Sequence, residues 1–460
     1  MGITGLTKLL SDEAPNCMKE IDLDSLTGRK VAIDASMAMY QFLIAVRSGG
    51  EGQAHMLTNE AGEVTSHIQG MFNRTIRMLS KGVKPCYIFD GKPPDLKGGE
   101  LAKRKEKRTK AEADLKNATE ADEKSEIDKF SRRLVRVTSE HNEDCKTLLR
   151  LMGVPVFTAP SEAEAQCAAL AREGVVYGAA TEDMDSLTFK TPKLLRRMTF
   201  SGAQQPILEV DYTKLLQGLD LSHEKFVDLC ILCGCDYTGS IKGIGPKKAL
   251  AFVRQHGTIE EIIKHLDPTK YPLPDDWLEP SERAKKRKKE KQEAKARKEA
   301  RANEQIEEKQ KSEHDQEADD DVKENSASST KRERDEDRNE DCEDELDDTP
   351  PMYRQARKLF LKPEVKSAGE IKLKWTDPDE TRLVKFLVEE KGFNAERVAS
   401  GITKLKAARK NVSQKRMDSF FSVVPHQNGR AKKLASKEKD ATRAKGKGSA
   451  VTGKSKGKRR

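Results

Sequence analysis

Seven acidic side chains in five short islands are the residues of this chain whose types and spacing could do chemistry. Lys30-Val31-Ala32-Ile33 ends in Asp34, and Pro85-Cys86-Tyr87-Ile88-Phe89 ends in Asp90. The run Val175 to Ala180 leads to Asp183 and Asp185, and the apolar run Phe226 to Cys233 leads to Asp236. Glu162 and Glu164 follow Pro160 and open a helix-like stretch. In open parallel sheets, ligand sites lie beyond the carboxyl ends of the strands. Carboxylates gathered there repel one another unless cations neutralise them, and hard oxygen ligands suit Mg²⁺ or Mn²⁺. The pattern therefore predicts a two-metal site of the kind found in nucleases and phosphatases, the ions roughly 3.5–4 Å apart. Each acid has a plainer alternative. A lone Asp is an ordinary turn residue, and Glu162 and Glu164 behind a capping Ser161 would also answer a helix dipole.

Such a site needs elements to hold it. Val31–Ile33 and Cys86–Phe89 read as short buried strands. Between them, Ile68, Met71, Phe72, Ile76 and Leu79 recur at helical spacing until Gly82 and Pro85 end the helix. The alternation continues with a helix at Cys145–Met152, a strand near Val154–Phe157, a helix from Ser161 and a strand over 175–180. Strands alternating with helices predict an α/β fold, a central mostly parallel sheet flanked by helices. Residues 97–131 break the pattern: they are polar all round, too poor in apolar residues to be fixed by burial. They form either an element arching over the site or a solvated connecting helix.

Composition bounds the rest. Of 460 residues 35% are hydrophobic and 35% charged, too polar for one continuous globule. Lys and Arg exceed Asp and Glu by 9 charges, and several acids are committed to the predicted site, so a polyanion partner fits. The eight cysteines are scattered as in a reduced protein. Cys230-x-x-Cys233-x-Cys235 lacks a second ligand pair and reads as packing. No apolar run of membrane-spanning length, signal peptide or myristoylation pattern occurs, so a soluble intracellular protein with no membrane partner is expected.

Two further motifs carry information. Gly243-Ile244-Gly245-Pro246-Lys247-Lys248 offers free backbone N–H groups at a helix start, a clamp for a DNA phosphate; the alternative is a simple Gly-Pro turn. Gln414-x-x-Met417-x-x-Phe420-Phe421 places two aromatics in a polar region, which suits docking on a partner, and its spacing fits the short motif that binds sliding clamps.

Met1-Gly2-Ile3-x-Gly5-Leu6, Val31-Ala32-Ile33-Asp34-Ala35-Ser36, Phe89-Asp90-Gly91-Lys92-Pro93-Pro94, Ala159-Pro160-Ser161-Glu162-Ala163-Glu164-Ala165, Thr181-Glu182-Asp183-Met184-Asp185 and Gly243-Ile244-Gly245-Pro246 closely resemble the eukaryotic flap endonucleases, structure-specific 5′ nucleases of the XPG/Rad2 superfamily. The resemblance runs through 1–281 and resumes from about 352 to 421. It implies a PIN-like 5′ nuclease core with a helical arch and a helix–two-turn–helix element. It implies two Mg²⁺ ions, replaceable by Mn²⁺, on Asp34, Asp90, Glu162, Glu164, Asp183, Asp185 and Asp236. Lys97 and Arg104 would be the catalytic cations at the scissile phosphate. Gly2, Tyr40, Arg47, Arg74, Glu162, Gly234, Asp236, Gly243, Gly245 and Lys247 would meet DNA. A monovalent cation such as K⁺ would lie at Ser240, Ile241 and Ile244, and Gln414, Met417, Phe420 and Phe421 would dock on the proliferating cell nuclear antigen sliding clamp.

The implied division is 1–108, an N-terminal nuclease region; 97–131, the arch; 126–257, the internal nuclease region; 258–281 with 352–410, the rest of the core; 282–351, a charged insert; and 411–460, the clamp motif and basic tail. The expected activity is 5′-flap endonuclease and 5′-3′ exonuclease, in Okazaki fragment maturation and long-patch base excision repair. The expected protein is monomeric and nuclear (nucleoplasm and nucleolus), with room for a mitochondrial fraction. The family has Ser-Gly beside the arch lysine where this chain has Gly98-Gly99, and the insert is the main departure. The rival reading is a non-catalytic DNA-junction adaptor, which has no need of seven clustered acids.

Overall fold

The strand that ends in Asp34, β2 (Lys30–Asp34), lies in the interior of a seven-stranded sheet, between two parallel neighbours, and every residue after Lys30 in it is buried. The computed structural model describes residues 2–45, 47–48, 55–56, 64–120, 124–198, 206–294, 296–297 and 349–410. The chain divides into compact units at Met1–Ser413 and Gln414–Arg460, and all described residues belong to the first.

The strands are β1 (Met18–Ile21), β2, the short pair β3 (Arg47–Ser48) and β4 (His55–Met56), β5 (Lys84–Phe89), β6 (Val156–Thr158), β7 (Gly178–Ala180), β8 (Lys193–Arg196) and β9 (Ile207–Asp211). Excluding the β3/β4 ribbon, their order is β1-β9-β8-β7-β2-β5-β6. The β2/β5, β2/β7, β5/β6 and β7/β8 pairs are parallel; β9 runs against both β8 and β1. The sheet is thus mostly parallel, as expected. The chain builds outward from β2 through β5 to β6, then returns to β2's other side with β7. That reversal makes the gap beyond β2 and β7 a topological switch point, where open α/β sheets bind ligands.

Side chains alternate across the sheet. Val31, Ile33, Tyr87 and Phe89 face a core with α2 (Ala35–Ala45), α3 (Ser66–Ser80), α6 (Ser139–Leu151) and the C-terminal α14 (Glu380–Val384) and α15 (Ala395–Lys410). Ala32, Cys86 and Ile88 face the other way, onto Ala163, Cys167 and Leu170 of α7 (Ala163–Arg172). A third core joins α1 (Leu6–Glu13), α8 (Tyr212–Leu219), α9 (His223–Cys233), α10 (Pro246–His256), α11 (Ile259–His265) and α13 (Met352–Leu361).

Two sequence expectations need correction. The apolar run Phe226 to Cys233 is the body of α9 and not a strand; eleven residues buried on nearly all sides suit a core helix, which periodicity alone cannot tell from a buried strand. Ser161 does not cap α7: the N-cap is Glu162, and its carboxylate makes no cap bond. Asp90 Oδ1 instead accepts from Ala163 N at 2.8 Å.

The polar stretch after β5 is helical, as α4 (Gly98–Glu120) and α5 (Lys124–Arg133), which pack on each other. α12 (residues 280–294) leads into the insert, most of which lies outside the described residues. The chain re-enters near where it left: Arg283 Nη2 donates to Thr349 O at 2.6 Å, and Trp277 meets Tyr353 at 5.1 Å between ring centroids. Arg357 then anchors α13 with paired bonds to Asp228 of α9 and Glu260 of α11. No helix among the described residues is long and apolar enough to cross a membrane.

A candidate metal and nucleic-acid site at the switch point

The acids arrive at the switch point from five places. Asp34 closes β2 and is 3% exposed; its Oδ1 accepts from Met37 N and its Oδ2 from Thr181 Oγ1, both at 3.0 Å. Asp90 follows β5 and caps α7. Glu162 precedes α7 and Glu164 stands in its first turn. After β7, Thr181 Oγ1 also accepts from Asp183 N, and Asp183 Oδ1 from Asp185 N, so the island folds around its own carboxylates. Gly234, with φ +101°, ends α9 and turns the chain into Asp236.

Burial and mutual repulsion act on these groups together. Burial first, then Asp90, pushes Asp34 up to about 7. Glu164 is raised well above the carboxylate range by burial, then by Asp34, Asp90, Glu162 and Asp183. Asp185 is raised likewise by burial and by Asp183 and Asp236, and Asp183 by burial above all. Two overlapping neighbourhoods emerge, one of Asp34, Asp90 and Glu164 and one of Asp183, Asp185 and Asp236, with Glu162 felt by both. Gly2 presses on the second: a Cβ there would stand 1.9 Å from Asp183 Oδ1, and its φ of +78° also excludes other residues without strain.

Two cations lie across the cluster. Lys97 Nζ reaches Glu162 Oε1 at 2.5 Å and Asp236 Oδ2 at 3.9 Å, and Arg104 Nη2 reaches Asp236 Oδ2 at 2.5 Å. Burial opposes the charge on Lys97, but Glu162, Glu164 and Asp236 outweigh it and raise its pKa; Asp236 and Glu100 do the same for Arg104. Tyr237, which the sequence reading passed over, donates its hydroxyl to Glu162 Oε2 and packs edge-on against Phe360 of α13. Its only sequence signal is adjacency to Asp236. The role of Thr181 was equally hidden.

Among the described residues, no three His, Cys, Asp or Glu side chains stand as a ready-made set of metal ligands. The positions of Lys97 and Arg104 supply a reason, since they hold Glu162 and Asp236 toward themselves. The site nonetheless fits a hard divalent cation. Its donors are all oxygen, they repel one another, and Asp185 Oδ1 is buried with no hydrogen-bond partner.

The remaining positions are more dispersed. Tyr40 lies half-buried on α2. Arg47 is described only as backbone in β3. Arg74 on α3 lies over the Phe42 ring at 5.9 Å, and burial lowers its pKa to about 10. Gly243 takes φ +86° and Gly245 precedes Pro246, the first residue of α10. Lys247 is exposed near Asp12 at 3.4 Å, whereas Lys248 folds back onto Gly243 O at 2.9 Å and adds nothing to a free phosphate clamp. Ser240 is exposed, Ile241 and Ile244 are buried, and Ile241 O already accepts from Ile244 N at 3.2 Å. Gln414, Met417, Phe420 and Phe421 lie outside the described residues. Cys230 and Cys233 are buried as free thiols on α9, as the packing reading expected.

A mostly parallel sheet with clustered carboxylates at its switch point, and a cationic helix across them, defines a nuclease of the XPG class. Residues 1–111 match the XPG N-terminal domain and 153–236 the XPG I-region. The chain is 48% identical over 450 residues to flap endonuclease 1 of Phytophthora infestans, covering 96% of this chain and 98% of that one. With flap endonuclease 1 of Danio rerio it shares 45% over 443 residues, covering 94% and 96%. Among solved structures, flap endonuclease-1 from Methanococcus jannaschii superposes with a TM-score of 0.56 at 27% identity, over 87% of this chain and 98% of that one. The catalytic core of Rad2 in complex with DNA substrate gives 0.55 at 25%, over 88% and 100%. The chain belongs to the flap endonuclease family.

Proposed function

We propose that Asp34, Asp90, Glu162, Glu164, Asp183, Asp185 and Asp236 hold two Mg²⁺ ions with which this structure-specific flap endonuclease hydrolyses a phosphodiester at the base of a 5′ flap. Nuclease action in DNA replication and repair follows from the family. The observation that carries the site assignment is the convergence of these acids, of which Asp34, Glu162, Asp183 and Asp185 are buried, with Lys97 and Arg104 laid over them.

When bound, the divalent ions would supply a nucleophile at neutral pH and stabilise charge on the departing oxygen. The chain does the rest. Thr181 and Met37 N fix the Asp34 carboxylate, Asp90 and α7 fix each other, and Tyr237 holds Glu162. Lys97 and Arg104 are the only cations in contact with the cluster among the described residues, so they are the groups placed to take the scissile phosphate as its charge grows. Backbone recognition suits a substrate read by shape, with strand bending and unpairing replacing base readout.

The finer proposals are that Tyr40, Arg47, Arg74 and the Gly243–Lys247 turn contact DNA, that K⁺ sits at Ser240, Ile241 and Ile244, that Gln414 to Phe421 dock on the sliding clamp, and that the enzyme works in the nucleus. Cleavage of a labelled 5′-flap duplex with Mg²⁺, beside Asp183→Ala, tests the core claim. No cleavage by the wild type would favour the adaptor reading; equal cleavage by both would sink the site assignment. Phe420→Ala with Phe421→Ala should abolish clamp binding, and unchanged clamp affinity would rule the docking motif out.

A further inference from the structure

Next to the carboxylate cluster lies a cavity of about 350 Å³ that shares Glu162 with it. Its wall brings Lys92 and Asp95, from the segment between β5 and α4, together with Phe189 and with Lys362 and Glu364 just past α13. Lys97 and Arg104 are engaged with Glu162 and Asp236, but the ammonium groups of Lys92 and Lys362 have no ion pair or hydrogen bond among the described residues.

We propose that this cavity is a subsite for one unpaired nucleotide of the flap strand, beyond the bond that is cut. The proposal rests on the nuclease reading above and deepens it. Size is the first argument. The volume falls at the low end of the roughly 300–1,000 Å³ typical of ligand pockets, enough for a single nucleotide and far too little for a duplex. Charge is the second. A lone anion would be repelled by Asp95 and Glu364 and a lone cation by Lys92 and Lys362, and an apolar ligand would leave all four exposed charges unused. A nucleotide matches the mixture: its phosphate takes the ammonium groups, and the amino edge of its base donates to the carboxylates. The prolines of the wall, Pro93, Pro94, Pro160 and Pro363, present rigid apolar faces to a base, over a floor closed by the buried Phe189.

Position is the third argument. The shared Glu162 places the cavity beside the site of cleavage, one side chain from Lys97, within reach of the nucleotide that follows the cut phosphate. The subsite would therefore distinguish a strand that continues past the scissile bond from one that ends there.

The test compares wild type with Lys92→Ala/Lys362→Ala on a five-nucleotide 5′ flap and on a flapless nick of the same sequence. The ratio of kcat/KM for flap over nick should fall about 10-fold in the variant, mainly through KM on the flap, with the melting temperature held. Lys362→Glu alone should move the ratio the same way, because it reverses charge without touching the rest of the wall. A flap strand with an abasic site at the nucleotide beyond the cut should lower the wild-type ratio too. An unchanged ratio in both lysine variants, or equal losses on the two substrates, would overturn the subsite. A wild type that cleaves no flap at all would sink the function itself and leave a different signature.

Discussion

Replacing Asp34 with Asn should make the metal-free protein more stable while destroying its activity. Asp34 is 3% exposed, and burial with Asp90 beside it raises its pKa from 3.8 to about 7. The folded state therefore holds the proton more tightly than the unfolded chain, so this group's contribution to stability declines as pH rises from about 4 to 7 and is at its least favourable above 7. The full rise corresponds to roughly 4 kcal/mol. Asn removes that cost and keeps an oxygen to accept from Met37 N, but its amide now donates to Thr181 Oγ1, which must turn its hydroxyl away; exchanging a charge-assisted bond for a neutral one costs about 1 kcal/mol. At pH 8 in chelator the variant should be more stable by roughly 3 kcal/mol, a melting shift on the order of 5 °C for a body of this size. Near pH 4 the advantage should vanish. Adding Mg²⁺ should raise the wild type far more than the variant, since a ligand stabilises only the fold that binds it. Thermal melts across pH 4–8, with chelator and with Mg²⁺, measure all three. A variant no more stable than wild type at pH 8 in chelator, or an advantage independent of pH, would refute the picture of mutually repelling buried carboxylates.

Gly2→Ala should cut turnover on a flap on the order of 100-fold with little change in DNA affinity, because its Cβ would stand 1.9 Å from Asp183 Oδ1 and displace that carboxylate; single-turnover kinetics and a binding titration decide it, and wild-type turnover would count against it. Lys97→Ala should bind Mn²⁺ several-fold more tightly in the absence of DNA, since the cation facing Glu162 and Asp236 is gone, yet cleave at least 100-fold more slowly. Calorimetry finding equal or weaker Mn²⁺ binding would contradict that. Deleting residues 284–348 should leave flap cleavage nearly intact, because Arg283 already touches Thr349 across the excursion; a large loss at low salt would show that the segment contributes to DNA binding.

The acidic cluster was legible because each acid is tied to a local signal: an apolar run that stops, or a proline before a helix. The parallel sheet was legible for the same reason. Its strands β2 and β5 are unbroken apolar runs, as strands buried on both faces must be. Asp236 was found by the right rule applied to the wrong element, since α9 and a buried strand share one pattern over eight residues. Ser161 was misread as the cap of α7 because sequence cannot say which side chain takes a free N–H; here Asp90, 73 residues from Ala163, supplies it. Tyr237 and Lys248 show the remaining limit. Tyr237 matters through Glu162 and Phe360, and Lys248 is withdrawn by Gly243 O, all contacts set by tertiary packing.

The charge that Lys97 and Arg104 spend on carboxylates is charge they offer less fully to a phosphate. In this structure they neutralise Glu162 and Asp236, two of the groups proposed to bind metal. Divalent ions at those carboxylates and the cations' present contacts are therefore competitors, whereas divalent ions and a DNA phosphate are allies, because each frees what the other needs. Such coupling is reciprocal: if metal tightens the grip of Lys97 and Arg104 on DNA by some factor, DNA must tighten metal binding by the same factor. The self-neutralised arrangement also has a use. It lets a dense cluster of carboxylates fold without metal, at a cost that Asp34 and Glu164 still register in their raised pKa values. The cations that neutralise the cluster in this structure are thus the ones proposed to meet the scissile phosphate, and on that proposal the cluster reaches its reactive form only when metal and phosphate arrive together.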